Sequence, residues 1–120
     1  MGDEMNKTTP GFSASGRGFH IHFPNGLTIS TQFGGGNYCA NRDRLPIGAE
    51  REMYRVDCEN AEVAIFNTDG QGGWRTKEIA LAAGLGEQSD DVIGWVDFND
   101  WLKLFDAARA FLSSLDGGKK

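Results

Sequence analysis

The sequence predicts an α+β fold: an antiparallel sheet of four to five strands, built on an N-terminal β-hairpin and packed against one long C-terminal helix. Two observations carry this. From Phe19 to Phe33, apolar and polar residues alternate with period two on either side of Pro24-Asn25-Gly26. From Phe98 onward, apolar residues recur every three or four positions. The first pattern is that of half-buried strands, the second that of an amphipathic helix.

The hairpin sets the register. Phe19, Ile21 and Phe23 alternate with His20 and His22; Leu27, Ile29, Thr31 and Phe33 alternate with Thr28, Ser30 and Gln32. A two-residue Asn-Gly loop would place Ile21 opposite Ser30, mixing apolar and polar residues on one face. A three-residue loop pairs Phe23 with Leu27 and Ile21 with Ile29, which leaves one face apolar. Pro24 presets φ, and Gly26 suits the left-handed position of a type I turn closed by a bulge. The apolar, odd-numbered face is expected to lie under the helix.

Along the rest of the chain, residues 1–17 are polar and turn-prone and read as a flexible tail. Residues 18–116 form a single domain, and 117–120 fray. Residues 41–55 read as a long surface loop with a helical turn at 49–54. Ala61–Asn67 is a third strand, with Val63 and Ile65 facing one way and Ala64 and Phe66 the other. Trp74 begins a returning fourth strand. Residues 76–83 fit either its continuation or a short helix capped by Thr76 and stopped by Gly84. Val92–Val96 is a short strand. Asp97 then caps a helix running from Phe98 to about Leu115, and Gly117-Gly118 ends it.

The composition excludes several functions. The 120 residues carry a net charge of −5, with the acidity mainly in the second half. No basic stripe is present to hold nucleic acid, and no apolar run reaches the roughly 20 residues that span a bilayer. The N-terminal residues lack the apolar core of an export signal. A cytoplasmic, reducing location is therefore expected, with Cys39 and Cys58 as thiols rather than a disulfide.

The run Asn25-Gly26-x-Thr28-x-Ser30-x-Gln32-x-Gly34-x-Gly36-Asn37-Tyr38-Cys39, followed by Ala61-Glu62 on a strand, resembles a group of small uncharacterised proteins encoded by bacteriophages and prophages. The resemblance covers roughly residues 18–67 and, loosely, the C-terminal helix. It brings no established activity. It implies a small accessory protein of an infected or lysogenic bacterial cell. By analogy with such proteins, it would bind a host or phage protein, including a host defence factor.

Several residue sets could carry chemistry. His20, His22, Cys39 and Cys58 are ligand types for zinc, but the cysteines are 19 residues apart and outside any Cys-x-x-Cys knuckle. Cys39 could serve as a nucleophile with His20 or His22 as base, with an oxyanion held by amides of Gly34–Asn37. That makes a small-ligand binder or small enzyme the alternative function. The triple glycine could form an anion nest, yet no lysine or helix start follows it, so it reads better as a strand end needing unusual backbone angles. Asn67, Asp69 and Gln71 imitate the start of a calcium loop with too few carboxylates, and a turn is the simpler reading. We expect no cofactor and no metal.

The remaining set is a face. His20, His22, Thr28, Ser30 and Gln32 form its polar ladder, joined by Asn37, Tyr38, Asn41 and Arg42. It reads either as the wet side of a half-covered sheet or as a protein-binding surface. Trp101 is expected in the core and Trp74 partly exposed, the latter a contact candidate. A binding protein rather than an enzyme is the leading expectation.

Overall fold

The computed structural model describes residues 10–49 and 53–112. Five antiparallel strands run in sequence order: β1 (Gly11–Ser15), β2 (Gly18–His22), β3 (Leu27–Gln32), β4 (Asn60–Asn67) and β5 (Val92–Asp97). Two helices, α1 (Thr76–Ala82) and α2 (Phe98–Ala110), pack on one face of the sheet. A short 3-10 turn at Ala40–Arg42 lies in the long β3–β4 connection.

The central hairpin has the register its alternation implies. Ile21 opposes Ile29, His20 opposes Ser30 and Phe19 opposes Thr31. Phe23 N donates to Leu27 O at 2.8 Å, Gly26 N donates to Phe23 O at 3.1 Å, and Gly26 takes a φ of 91°. The odd-numbered face supplies Phe23, Leu27 and Ile29 to the core, and β4 adds Val63 and Ile65. The helices cover them with Ile79, Ala80, Leu104 and Ala108, all fully buried. Each large aliphatic side chain buried here contributes about 1.5–3 kcal/mol.

Asn25 ties the hairpin to α2. Its Oδ1 accepts from Leu27 N at 3.1 Å, which shapes the turn. Its Nδ2 donates to Ala108 O at 2.7 Å and to Phe111 O at 3.0 Å. The last carbonyls of a helix lack partners of their own, and a turn residue from across the domain satisfies them here. α2 consequently ends at Ala110, with Phe111 extended (ψ 132°). This is shorter than the helix to Leu115 expected from the apolar period, and residues 113–120 lie outside the described residues. The start of α2 is as expected: Asp97 accepts from Asp100 N at 2.8 Å.

Three further differences stand out. The expected tail of residues 1–17 contains β1. Gly11–Ser15 pairs along β2, and Gly16-Arg17 closes the hairpin, with Arg17 N donating to Gln32 Oε1 at 2.7 Å. β1 carries little apolar signal because it buries almost nothing: Phe12 is 85% exposed. Ladder hydrogen bonds, which leave no mark on hydropathy, define it. Residues 1–9 lie outside the described residues, as does part of the helical turn expected at 49–54.

Second, Trp74 makes only one bridge to Phe66, and the chain then turns into α1 rather than a strand. Thr76 does not cap α1. It is fully buried, and its Oγ1 accepts from Ile65 N at 2.9 Å and donates to Ile65 O at 3.1 Å. It thus extends the edge pairing of β4 beyond the reach of β5. Gly84 does stop the helix. With φ at 83°, its N donates to Leu81 O at 3.1 Å while Leu85 N donates to Ala80 O at 3.0 Å, the paired bonds of a Schellman motif.

Third, β5 is irregular. Ala61 opposes Val96 and Val63 opposes Ile93, so Glu62 faces two residues, Gly94 and Trp95. That is a β-bulge. Trp95 has a φ of 50°, rare for a bulky residue. Gly94 is required at this point: a Cβ there would lie 2.9 Å from Tyr38 Cβ.

Candidate functional site

The pleat places His20, His22, Thr28 and Ser30 together on the face away from the helices, where β4 adds Glu62, Ala64 and Phe66. This face is drier than a solvated sheet surface. Thr28 is fully buried and Ser30 is 8% exposed. Side chains cover them from above. His20 sits edge-on to Phe66 with centroids 5.5 Å apart, and Phe66 sits edge-on to Trp74 at 5.8 Å. Trp74 is half-exposed.

Four polar residues form a line across the strands. His22 Nε2 meets Ser13 Oγ at 2.8 Å, and its Nδ1 meets Thr28 Oγ1 at 2.8 Å. Thr28 Oγ1 in turn meets Thr68 Oγ1 at 2.6 Å. Both nitrogens of His22 are therefore committed to structure. Gln32 is also committed: its Nε2 donates to Ser30 Oγ at 3.3 Å while its Oε1 holds the β1–β2 turn.

Burial, and secondarily the neighbouring His22, push the pKa of His20 below the ordinary histidine value of 6.5. The unfolded chain therefore binds a proton at higher pH than the folded one. Stability from this source is full above 6.5 and falls as pH drops through 6.5 toward the lowered value. The melting temperature should decline between neutral pH and about pH 5, above the main carboxylate range. His20→Gln should flatten that decline. An unchanged slope in the variant would contradict the assignment.

At the other end of the face, the loop after β3 folds over β4. Asn37 is 6% exposed; its Oδ1 accepts from Gly34 N at 2.9 Å and its Nδ2 reaches Glu62 Oε1 at 3.4 Å. Glu62 Oε1 also accepts from Tyr38 N at 2.7 Å. Asn37 is thus a brace for the loop rather than a contact residue. The triple glycine serves the same fold: Gly36 has a φ of 85°, and at Gly35 a Cβ would fall 2.2 Å from Leu45 O. Asn41, 3% exposed, donates to Phe33 O at 2.8 Å and to Asp57 O at 2.9 Å.

Tyr38 is held outward. Its ring stacks on Trp95 with centroids 5.9 Å apart and planes 16° from parallel. Tyr38 O accepts from Trp95 N at 2.8 Å. The Arg42 guanidinium lies 5.9 Å from the Tyr38 ring centre, a cation–π approach. Tyr38 is 49% exposed and Trp95 54% exposed. Trp95 was missed from sequence. The signal that could have found it was Gly94 inside a strand, which marks a bulge or a close backbone approach.

The proposed catalytic and metal sets do not assemble. The Cys39 sulfur is buried at 1% exposure and lies 3.7 Å from Gly34 O. Desolvation, first among several causes, pushes its pKa up to about 11. A nucleophilic cysteine needs the reverse shift and a base beside it, whereas His22 is bonded to Ser13 and Thr28. Among the described residues no group of three or more His, Cys, Asp or Glu is placed to hold a metal ion. Asn67 and Asp69 are used within their own turn: Asn67 Nδ2 donates to Gln71 O, and Asp69 Oδ1 accepts from Gln71 N at 2.8 Å.

Compared with protein families, with curated proteins and with solved structures, the chain finds no match. No helix among the described residues is long and apolar enough to cross a membrane.

A cavity of about 290 Å³ opens on the opposite, helix-bearing face. Phe19, Phe33, Phe98 and Trp101 wall it, and the segment 56–60 closes one side. Trp101 is only partly covered there, with its Nε1 donating to Thr31 Oγ1 at 2.8 Å. The lining includes neither histidine nor Cys39, so it is separate from the Gly34–Cys39 loop and His20/His22.

Proposed function

We propose that this chain is a binding protein that acts through the sheet face away from its helices, with Tyr38, Trp95 and Arg42 as the anchor and Trp74 at the far end. One observation carries the reading. Trp95 is held in a left-handed backbone conformation, a state that costs of the order of 1–3 kcal/mol, with its ring half in water against Tyr38. Core packing does not account for it. A bulky residue held in that geometry at the surface fits recognition, and large aromatics with arginine dominate protein-binding hot spots.

His20 and Gln32, both partly exposed, supply polar groups between the two aromatic ends, over the buried Ser30. His22 and Thr28 hold this face rigid. The resemblance to phage and prophage proteins supports a host or phage protein as the partner, in the bacterial cytoplasm, with a defence factor as the class of target. An enzyme or small-ligand role for the Gly34–Cys39 loop with His20 and His22 has less support, given the buried, protonated Cys39 and the committed His22.

The test is affinity capture from a bacterial lysate, with mass spectrometry, followed by measurement on the captured partner. Tyr38→Ala and Trp95→Ala should each weaken binding by at least ~30-fold, the effect of losing a central aromatic anchor. Leu81→Ala, exposed on α1 of the other face, should leave it unchanged. Loss of activity in Cys39→Ala, with full binding in both aromatic variants, would refute the reading.

A further inference from the structure

We propose that Cys39 and Cys58 form a dithiol pair that a low-molecular-weight disulfide closes to an intramolecular disulfide, bonding the loop after β3 to the segment that enters β4. The pair is assembled by the fold across 19 residues of sequence. Both are free thiols, Cys39 buried and Cys58 partly so.

The backbone on either side is already joined. Asn60 Oδ1 accepts from Ala40 N at 2.7 Å and lies 3.8 Å from Cys58 Sγ. Asn41 Nδ2 donates to Asp57 O at 2.9 Å. Thus the residue after Cys39 and the one before Cys58 are each pinned to the other segment. A disulfide demands close approach of two particular backbones, and this clamp holds the two segments side by side.

The two sulfurs have unlike roles. Cys58 borders the cavity on the helix-bearing face, so a small oxidant reaches it. The Cys58 thiolate attacks one sulfur of the oxidant, breaking its S–S bond and releasing one thiolate, which takes up a proton. The Cys39 sulfur then attacks the Cys58 sulfur, its proton passing to the departing half of the oxidant, which leaves as a thiol. The net change is two protein thiols oxidised to one disulfide and one small disulfide reduced to two thiols.

The bond would close a loop spanning the long β3–β4 connection, which contains Arg42 and Arg44 and begins beside Tyr38. Cross-linking a loop of this length stabilises the folded state by restricting the unfolded one. In a reducing compartment the pair stays open, so the bond forms under oxidative stress or on export. This inference does not rest on the binding reading.

The test uses the full chain with excess oxidised glutathione. Intact mass should fall by two hydrogens, thiol titration should show the loss of both thiols, and a non-reducing peptide map should link Cys39 to Cys58. The melting temperature should rise on oxidation and return with reductant. Cys58→Ser, at the partly exposed position, should leave Cys39 as an unreacted thiol with no oxidation-dependent shift. A lasting glutathione adduct on Cys58, a cross-link between chains, thiols that resist the oxidant, or a lowered melting temperature on oxidation would each overturn the proposal.

Discussion

Leu104→Ala is expected to cost about 2–5 kcal/mol, the largest effect of any single truncation proposed for this protein. Leu104 is fully buried on α2, above a floor made by β3, β4 and β5. The neighbouring core comprises Ile29, Val63, Ile65 and Val96. Leu104 and Ala108 are the fully buried residues of α2, and Leu104 is the larger of the two. Removing three carbons leaves a cavity that the rigid sheet cannot fill. A domain of this size is stable by about 5–15 kcal/mol in total, so the variant should show a large fall in denaturation midpoint in urea. Leu102→Ala, at a 40% exposed position on the same helix, serves as the control and should change stability by less than about 1 kcal/mol. Equal effects at the two positions would contradict this account of the core.

Thr76→Val should cost about 1–3 kcal/mol although it preserves side-chain shape. The Thr76 hydroxyl serves both backbone groups of Ile65. Ile65 O has a second donor, Arg75 N at 2.7 Å, so its acceptor remains satisfied. The Ile65 N–H would lose that hydroxyl acceptor in a buried site, and there the penalty falls. Thr76→Ser keeps the hydroxyl and should cost less than Thr76→Val, separating hydrogen bonding from the packing of one methyl group. If Thr76→Val unfolds at the same denaturant concentration as the parent, the hydroxyl plays no part in stability.

Much of the fold was legible from local chemistry. The hairpin register followed from face matching, since a one-residue slip would have put Ile21 against Ser30. The start of α2 followed from Asp97, and the end of α1 from Gly84. What failed did so for identifiable reasons. β1 is held by backbone pairing and buries little, so hydropathy says nothing of it. Thr76 resembled an N-cap because caps and buried hydroxyl brackets use the same residue type. The end of α2 is decided by Asn25, which lies more than 80 residues away in sequence.

The candidate face was half legible. Alternation placed His20, His22, Thr28, Ser30 and Gln32 on one side, and the exposure of Trp74 was anticipated. Alternation could not tell which of them are braces. Thr28 and Asn37 are buried and bonded internally, while Tyr38 projects. Trp95 belongs to this face only because a bulge opposite Glu62 turns it there.

The sequence by itself determined the α+β class, the central hairpin and its register, and the division of the sheet into two unlike faces, because period-two alternation and turn chemistry are local properties. Only the tertiary structure decided which polar residues hold the fold and which meet solvent. It also decided that Tyr38 and Trp95 stack and that the segment after Cys39 is bonded to the one around Cys58. Those outcomes depend on how the loop after β3 crosses β4, and that path is set by contacts among Glu62, Gly94, Asn41 and Asn60, residues far apart in the chain.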